Sequence, residues 1–292
     1  MKKVISFSLW GDSPFYNVGA IRNAELALEF YPDWVCYYYV GNDVPADTIT
    51  QLKSFDHVKV IEMNKSSENF KGTLWRFDTV SEQDVDIMIS RDVDCRLSQR
   101  EADAVNEWLD SGEVLHIMRD HPMHTWPIAA GMWGCRCKET MDIIKEEIPN
   151  FSTIYSESVH IFKDLFDNWY AYEMFLIDSG KGRIDKEELM GRTVDQVFLR
   201  HVIYQIFFKN RAFVHDSFPM HNCWSGRQEG NRSHDGRSFH KENINTGFCK
   251  PRKNWDDFVG QIFFEDESAN QESSEYLKEE YKRIIPADRM IQ

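Results

Sequence analysis

The chain has 292 residues, of which 42% are hydrophobic and 14% are aromatic. This composition differs from that of disordered chains, and the length suits one large domain or two smaller ones. The formal charge of −14 argues against binding to nucleic acid, which requires a basic surface. We therefore predict one folded domain with a tail. Anionic partners are expected only where a local basic patch or a metal ion receives them.

The sequence carries no recognisable targeting signal. Its first apolar run, residues 4–9, is too short for a signal peptide before the polar residues that follow. No stretch reaches the roughly 18 uninterrupted apolar residues of a membrane-spanning helix. The six cysteines include no C-x-x-C pair, and the C-x-C of Cys135 and Cys137 is not the usual zinc spacing. We expect a cytoplasmic protein with reduced thiols and no membrane-spanning segment.

Apolar runs alternate with helix-length periodic segments along the chain. The predicted strands cover residues 4–9, 34–40, 58–63, 85–90, 114–118 and 128–134, with the end of a further strand at 213–214. The predicted helices cover residues 17–31, 45–55, 72–81, 98–111, 138–148, 162–179 and 193–208. Strands that alternate with helices in this way predict a mostly parallel sheet flanked by helices.

Several local signals place the ends of these elements. Ser98 and Glu101 form a capping-box pattern at the start of one helix, and Thr193 is the predicted cap of another. The segment 128–134 is rich in small residues, and its glycines permit close approach of a ligand or of backbone. Residues 215–253 have weak periodicity and predict a long loop region. Residues 265–280 are acidic, and we expect a solvated tail that ends in a helix.

Two aspartates follow an apolar run of the sequence. Asp92 and Asp94 come directly after the predicted strand 85–90. Ligands of open α/β sheets bind beyond the carboxyl ends of strands, and side chains two positions apart on an extended chain point the same way. Both carboxylates can therefore reach one hard divalent cation, which prefers oxygen ligands and often binds substrate phosphates as well. The alternative is a solvated turn, in which aspartate is common.

The ordered set of motifs resembles the metal-dependent glycosyltransferases of the GT-A fold. Asp92-Val-Asp94 corresponds to the D-x-D motif of that family. Gly131 to Gly134 is similar to its small-residue strand on the acceptor side, and Val194 to Leu199 resembles the Asp-Gln helix of glycogenin-like and bacterial sugar transferases. Val214 to Phe218 and Asp257 to Gly260 resemble segments of further members of this superfamily.

The resemblance spans roughly residues 3–260 and implies a GT-A-like α/β fold. We expect a catalytic domain of residues 1–264, with a nucleotide-binding half of about 1–97 and an acceptor half of about 98–264, followed by the acidic tail 265–292. The implied reaction moves a sugar from a nucleotide-diphosphate donor to the hydroxyl of a glycan or other acceptor. Mn²⁺ or Mg²⁺ would bridge the acids and the diphosphate and neutralise the charge that develops on the leaving group.

The donor is expected at the carboxyl edge of the sheet. The loop after the first strand lies there, and guanidinium groups match phosphate oxygens, although each arginine equally suits a surface position. The residues expected to bind the donor are Leu9, Trp10, Gly11, Arg76, Arg91, Asp92 and Val93.

The catalytic carboxylate and the third metal ligand are less constrained. Asp120 and Asp195 are the candidates for a general base, and Asp195 would instead face the donor sugar in a retaining enzyme. A helix dipole stabilises Asp195 without any function, and Asp120 could simply cap a turn. His215 follows an apolar run and is the predicted third metal ligand beside Asp92 and Asp94. Its rivals are His221, His234 and His240.

The long loop region contains a cluster of basic residues in an otherwise acidic chain. We expect residues 225–253 to close over the diphosphate, as lids that exclude water commonly do. The basic residues of this segment are Arg227, Arg232, Arg237, Lys241, Lys250 and Arg252.

Other classes of protein share parts of this pattern. Phosphatases of the haloacid dehalogenase type also carry Asp-x-Asp after a strand, but on their first strand. Nucleotidyltransferases share the sheet and the metal but usually carry a basic, glycine-rich loop after the first strand, where this chain has Gly11-Asp-Ser-Pro14. A sugar-binding protein that has kept the fold without catalysis is the non-enzymatic alternative.

Overall fold

A computed structural model of the chain describes residues 1–64, 70–124, 126–155, 160–207, 212–217, 244–246, 248 and 250–284. Within these ranges eight strands form one sheet in the order β3-β2-β1-β4-β6-β5-β7-β8. The strands are β1 (Lys3–Leu9), β2 (Val35–Val40), β3 (Val58–Glu62), β4 (Ile87–Ser90), β5 (Leu115–Arg119), β6 (Trp133–Arg136), β7 (Ala212–Asp216) and β8 (Ile244–Thr246).

Helices connect most of these strands. The α-helices are α1 (Pro14–Phe30), α2 (Ala46–Lys53), α3 (Gln99–Ser111), α4 (Cys137–Glu147), α5 (Phe151–Ile154), α6 (Ile161–Asp178), α7 (Lys186–Met190), α8 (Val194–Phe198), α9 (Tyr204–Phe207) and α10 (Gln271–Ile284). A 3-10 helix covers Lys71–Ser81, and a π-helix covers Leu199–Ile203. No helix in the described ranges is long and apolar enough to cross a membrane.

The sheet is mostly parallel, as the sequence predicts. β1 pairs in parallel with β2 and β4, and β5 pairs in parallel with β7. β6 runs antiparallel to both of its neighbours, β4 and β5. Because β1 lies in the interior of a parallel sheet, six of its seven residues are buried, which explains its nearly continuous apolar sequence. The prediction of an α/β fold is therefore confirmed.

Two apolar cores cover the two faces of the sheet. On β1, Val4 belongs to the core that contains Trp133, whereas Ile5 and Phe7 belong to the core that contains Trp108. Successive side chains of a strand point to opposite faces, so this alternation separates the cores. Helices α1 and α3 contribute to the second core, and α4 and α6 contribute to the first. The sheet thus has helices on both faces, with its carboxyl edges left open to a ligand.

The capping signal at α3 is confirmed in part. The Ser98 hydroxyl accepts a hydrogen bond from the Glu101 amide at 3.3 Å, and Gly112 ends the helix with a φ of +76°. The carboxylate of Glu101 accepts from Arg91 Nε at 2.6 Å and from Tyr31 Oη at 2.8 Å. The sequence pattern therefore predicted the helix start correctly, but the Glu101 side chain binds Arg91 and Tyr31 and not the backbone of the cap.

Three local predictions were wrong. The strand predicted at 128–134 is confined to β6, because residues 128–132 form turns beside β4. The helix predicted at 193–208 is confirmed as α8, the π-helix and α9, which follow one another without a break, but its predicted cap was wrong, because the Thr193 side chain makes no capping hydrogen bond. The acidic segment after 264 is not a solvated tail: Leu277 of α10 is fully buried and packs with Phe258.

Candidate functional site

A cleft of about 370 Å³ opens at the carboxyl ends of β1 and β4. One wall is the end of β1 and the residues just after it, and a second is the loop that carries Asp92 and Asp94. The 3-10 helix contributes Arg76, and the start of α8 contributes Asp195. The sequence placed the first two of these segments at the carboxyl edge of the sheet, and the structure brings Arg76 and Asp195 to them.

The two predicted metal-binding aspartates lie side by side. Asp92, Asp94 and Cys95 each offer a ligand atom, and these atoms lie within 4.8 Å of one another. Burial and the neighbouring Asp92 carboxylate raise the pKa of Asp94 to about 6. A bound cation would relieve this repulsion, so the pair fits a divalent ion. The thiol of Cys95 keeps its proton more strongly than usual, since burial and Asp94 raise its pKa, which leaves the two carboxylates as the hard ligands.

The loop that carries the aspartates is held by α1. The Asn23 side-chain amide donates to the carbonyl oxygens of Val93 at 3.2 Å and Cys95 at 2.8 Å, and its oxygen accepts from the Leu97 amide at 3.0 Å. A Cβ atom at Gly19 would lie 2.1 Å from the Val93 oxygen, so a glycine is needed there for the helix to approach the loop. These contacts fix the loop without using either carboxylate.

Asp92 also depends on a glycine from the other half of the chain. A Cβ atom at Gly131 would lie 1.9 Å from Oδ2 of Asp92. The turn that contains Gly131 is anchored to β4, because the Ser90 hydroxyl donates to the Ala130 carbonyl at 2.7 Å. The small-residue segment that the sequence singled out therefore makes room for the first aspartate of the pair.

Arg76 joins Asp92 to Asp195. Its guanidinium is 4% exposed and donates through Nη1 to Oδ1 of Asp92 and through Nη2 to Oδ2 of Asp195, the latter at 3.0 Å. Nη1 also donates to the Arg91 carbonyl at 2.8 Å. The arginine predicted to bind the donor thus lines the cleft, but both of its terminal nitrogens are engaged by the protein.

Asp195 is buried at the start of α8. Its Oδ1 accepts from the Gln196 amide at 2.8 Å. Burial raises the pKa of Asp195 to about 6, Arg76 opposes part of this rise, and Asp92 adds to it. The π-helix begins directly after α8, and such irregular turns are frequent at functional sites. Asp195 therefore keeps its proton to a higher pH than an ordinary aspartate does.

Aromatic side chains form the open end of the cleft. Trp10 lies 6.1 Å from Trp75, with the two rings edge to face, and Tyr16 and Phe70 also line the cavity. Leu9 and Val93, both predicted from sequence, line it as well. Gly11, also predicted to bind the donor, is not among the residues that line the cavity. Its φ is +77° and its amide donates to Oδ1 of Asp43 at 2.9 Å, so this glycine turns the chain after β1.

Arg91 does not reach the cleft. It is buried, donates through Nε to Glu101 at 2.6 Å, and donates through Nη1 to the Trp133 carbonyl at 3.1 Å. Its position next to Asp92 suggested a donor ligand. The strand alternation turns its side chain away, so that expectation is corrected.

Asp120 is also away from the cleft, in a cluster of its own. Its side chain is fully buried and accepts from Arg100 at 2.6 and 2.9 Å, from Arg252 at 2.8 Å and from the Ser217 hydroxyl. Burial alone would raise the pKa of Asp120, but Arg252, Arg100 and Ser217 lower it below its usual value. We call Asp120, Arg100, Arg252 and Ser217 the Asp120 cluster. The cluster connects the residues after 250 to the end of β5. The prediction of Asp120 as a general base is therefore corrected: its carboxylate is bound within the protein, away from the cleft.

His215 is not placed to bind the metal. It is fully buried on β7, with Nδ1 2.8 Å from Nε2 of His116 and Nε2 3.1 Å from Glu107. Among the described residues, the metal-binding group that includes Asp92 and Asp94 contains no histidine. The prediction failed because β7 is separated from β4 by two strands, so the ends of the two apolar runs do not meet.

Part of the predicted lid lies outside the described residues. These are Arg227, Arg232, Arg237 and Lys241, together with the rival ligands His221, His234 and His240. Of the two basic residues that are described, Lys250 pairs with Asp103 at 2.6 Å and Arg252 belongs to the Asp120 cluster. Neither is directed to the cleft.

Several residues of the cleft had no signal in the sequence. Phe70 and Arg192 enter it from irregular segments, Thr73 from the 3-10 helix, and Gly260 and Ile262 from the C-terminal part of the chain. Periodicity predicts helices and strands, and it does not predict which loops fold back onto a distant strand end. Arg192 is the exception, because its position just before the Asp-Gln helix could have indicated that it lies near the site.

Comparisons with known proteins find matches among solved structures. No protein-family model matches the sequence, and no match is found among curated proteins. The chain is similar to mannosyltransferase PcManGT from Pyrobaculum calidifontis in complex with GDP-Man and Mn2+, at 8% identity and a TM-score of 0.38, over 70% of this chain and 71% of that one. It is similar to galactosyltransferase LgtC in complex with donor and acceptor sugar analogs, at 12% identity and a TM-score of 0.44, over 98% of each chain.

A third similarity is to S. aureus TarS 1-349, at 9% identity and a TM-score of 0.38, over 80% of this chain and 77% of that one. The first two structures are named as sugar transferases, the class that the sequence resemblance names. At these scores and identities, no activity or substrate passes from them to this chain.

Proposed function

We propose that the chain is a metal-dependent glycosyltransferase that uses a nucleoside-diphosphate sugar. The observation that carries this proposal is the pair of carboxylates of Asp92 and Asp94, which opens at the end of β4 into a cleft that also contains Asp195. The proposal rests on the cleft itself, because the fold similarities are too weak to carry it.

Asp92 and Asp94 would hold the divalent cation. When bound, such an ion acts as a Lewis acid and stabilises the charge on a leaving diphosphate. Oxygen ligands suit Mn²⁺ and Mg²⁺, and neither ion fills its shell with two protein ligands, so positions remain for phosphate oxygens. Arg76 holds Oδ1 of Asp92, which orients this carboxylate before a metal arrives.

Asp195 is the carboxylate proposed to meet the reacting sugar. It lines the inner part of the cleft, and Arg76 fixes its Oδ2 while the Gln196 amide binds its Oδ1. A carboxylate with a pKa of about 6 is a stronger base than an ordinary surface aspartate. Near neutral pH it therefore accepts a hydrogen bond or a proton from a sugar hydroxyl more readily. Trp10 and Tyr16 offer flat surfaces on which a nucleotide base can stack.

The phosphatase alternative has less support in this arrangement. In that chemistry the first aspartate attacks a phosphorus atom, and it must therefore present a free oxygen to the substrate. Here Oδ1 of Asp92 is bound by the buried Arg76, whose charge makes this carboxylate a poorer nucleophile and holds it in one orientation. Oδ2 lies beside Gly131, which leaves room for it, and this arrangement suits a carboxylate that holds a cation in a fixed position.

Titration calorimetry with uridine and guanosine diphosphates, with and without Mn²⁺, tests the proposal. We expect Mn²⁺ to increase the affinity of at least one diphosphate in the wild type, and we expect Asp94→Ala to abolish this increase while the protein stays folded. Asp86→Ala is the matched control, since Asp86 is exposed at the opposite end of β4. Mn²⁺-dependent affinity that persists in Asp94→Ala contradicts the site.

A panel of nucleotide sugars then tests transfer itself. Release of nucleoside diphosphate that requires both Mn²⁺ and an added sugar acceptor would identify the reaction. A protein that binds the diphosphate with Mn²⁺ but turns over no member of a broad panel would instead be a binding protein of the same fold.

A further inference from the structure

The cleft contains two arginines, and only one of them is held by carboxylates. Arg76 is buried and bridges Asp92 and Asp195, so its charge is already balanced by the protein. Arg192 lines the same cleft, is exposed, and has no carboxylate within ion-pair distance among the described residues. A guanidinium that no carboxylate of the described residues pairs with, in a cleft that also holds three carboxylates, requires an explanation of its own.

Arg192 is held by an aromatic ring. Its guanidinium carbon lies 5.7 Å from the centroid of Phe70, within the range of a cation–π contact. Phe70 has a φ of +59°, in the left-handed region that a bulky residue rarely adopts. Such backbone strain is concentrated at functional sites. The strained residue thus presents the ring that the Arg192 guanidinium contacts.

Arg192 and the aspartate pair both influence the pKa of one side chain of the cleft, that of Tyr16. Tyr16 is half-buried and lines the cavity. Burial raises the pKa of its phenol, and Asp94 adds to this rise, whereas Arg192 opposes it. The cleft therefore has a carboxylate pair and the guanidinium of Arg192, both close enough to influence Tyr16.

The charges indicate what would bind between them. A divalent cation on Asp92 and Asp94 compensates those two carboxylates, and Arg76 serves Asp92 and Asp195. A diphosphate brought to the cation adds negative charge that one metal ion does not balance. A guanidinium fork binds phosphate oxygens through two parallel hydrogen bonds, which a point charge cannot reproduce.

We propose that Arg192 binds the diphosphate of the substrate and is the second cationic group, beside the metal, that receives the leaving diphosphate. This inference rests on the proposed function for the identity of the substrate. It replaces Arg76 with Arg192 as the arginine that contacts phosphate, while Arg76 is a positioning residue for Asp92 and Asp195.

Titration calorimetry with Arg192→Gln tests the inference. The probes are uridine and guanosine diphosphates, the corresponding monophosphates and nucleosides, and inorganic pyrophosphate, each with Mn²⁺. We expect the affinity for the diphosphates and for pyrophosphate to fall at least tenfold, because the terminal phosphate loses the two hydrogen bonds from the Arg192 guanidinium. The affinity for nucleosides and for Mn²⁺ alone should stay the same. Arg183→Gln is the control, since Arg183 is exposed in the preceding loop and does not line the cleft.

Arg192→Lys separates charge from packing. Lysine keeps the charge and should recover part of the lost affinity for diphosphates. If Arg192→Lys binds the diphosphates as weakly as Arg192→Gln, a positive charge at this position contributes nothing to their binding, and the inference is wrong. An equal loss for nucleosides would also overturn it, because Arg192 would then support the base.

The same titrations distinguish failure of this inference from failure of the proposed function. Binding of diphosphates that depends on Arg192, in a protein without sugar transfer, keeps the inference and removes the glycosyltransferase. Transfer that is unchanged in Arg192→Gln, with unchanged diphosphate affinity, keeps the enzyme and removes the inference. A wild type that binds neither a nucleoside diphosphate nor pyrophosphate with Mn²⁺ refutes both.

Discussion

Among the described residues, the Asp120 cluster and the aspartates that Arg76 bridges in the cleft differ in how well their carboxylates are compensated. In the Asp120 cluster, one carboxylate faces two guanidinium groups and a hydroxyl, and the pKa of Asp120 falls below its usual value. In the cleft, one guanidinium, that of Arg76, serves both Asp92 and Asp195, and burial raises the pKa of Asp195 to about 6.

Such a difference distinguishes a cluster that stabilises a fold from a site that is suited to bind a ligand. A buried charge that is fully paired stabilises the fold, and removing one partner leaves the other uncompensated. A buried carboxylate with too few partners costs stability, and such sites are candidates for binding and catalysis. In this chain the cation that would complete the cleft is the proposed metal ion.

The largest expected effect is that of Asp120→Asn on stability. The substitution leaves Arg100 and Arg252 buried with one charge too few, and breaking such a pair costs about 3 to 5 kcal/mol. Urea denaturation should show this loss in the free energy of unfolding. Mn²⁺-dependent diphosphate binding, measured below the lowered melting temperature, should be retained.

Ser217→Ala is the milder variant if Asp120→Asn does not fold. It removes only the hydroxyl that donates to Asp120. A loss of diphosphate affinity in either folded variant would contradict the separation of the two clusters.

The second effect is on how stability varies with pH, measured in metal-free protein. The pKa of Asp195 is about 6 in the folded chain and near its ordinary 3.8 after unfolding, so the folded state binds more protons between these values. The free energy of unfolding should therefore fall as pH rises from 4 to 6 and stay low above it. Asp94 contributes in the same direction.

Asp195→Asn should remove its share of this fall. Each pKa unit corresponds to about 1.4 kcal/mol, so the variant should gain up to about 3 kcal/mol relative to wild type between pH 4 and pH 8. Urea denaturation across this range gives the difference. Parallel curves for the two proteins would show that Asp195 is as well compensated as Asp120.

The smallest of these effects is that of His215→Gln. The substitution disturbs the contacts of His215 with His116 and Glu107, and an unsatisfied buried polar group costs about 1 to 3 kcal/mol. Because His215 lies away from the aspartate pair, the affinity for Mn²⁺ should not change. A tenfold weaker Mn²⁺ affinity, measured by calorimetry, would restore His215 as a metal ligand.

The sequence predicted what depends on local pattern. The strands up to β5 and the start of α3 follow from apolar runs and a capping signal, and the aspartate pair follows from its place after such a run. Asp195 was found because it opens a recognisable Asp-Gln segment. These features require only neighbours along the chain.

What the sequence could not predict depends on partners far along the chain. Arg91, Asp120 and His215 all follow or end apolar runs, as Asp92 does, and the pattern gave no means to separate them. Their side chains are distinguished by strand alternation and by strand order, and both are settled by the assembled sheet. Arg192 was not predicted, because the proposal for it depends on the absence of a carboxylate within ion-pair distance among the described residues, and a sequence does not show such distances.

The C-terminal segment determines when the cleft is complete. Phe263 donates its amide to the Asp94 carbonyl at 2.9 Å, Ile262 pairs with Cys95, and Gly260 and Ile262 line the cavity. A ribosome that has made only the first 250 residues has already produced both aspartates, Asp195 and Arg192, yet one wall is missing. The nascent chain can therefore present the charged residues of the cleft before the segment that completes the wall around them has been made.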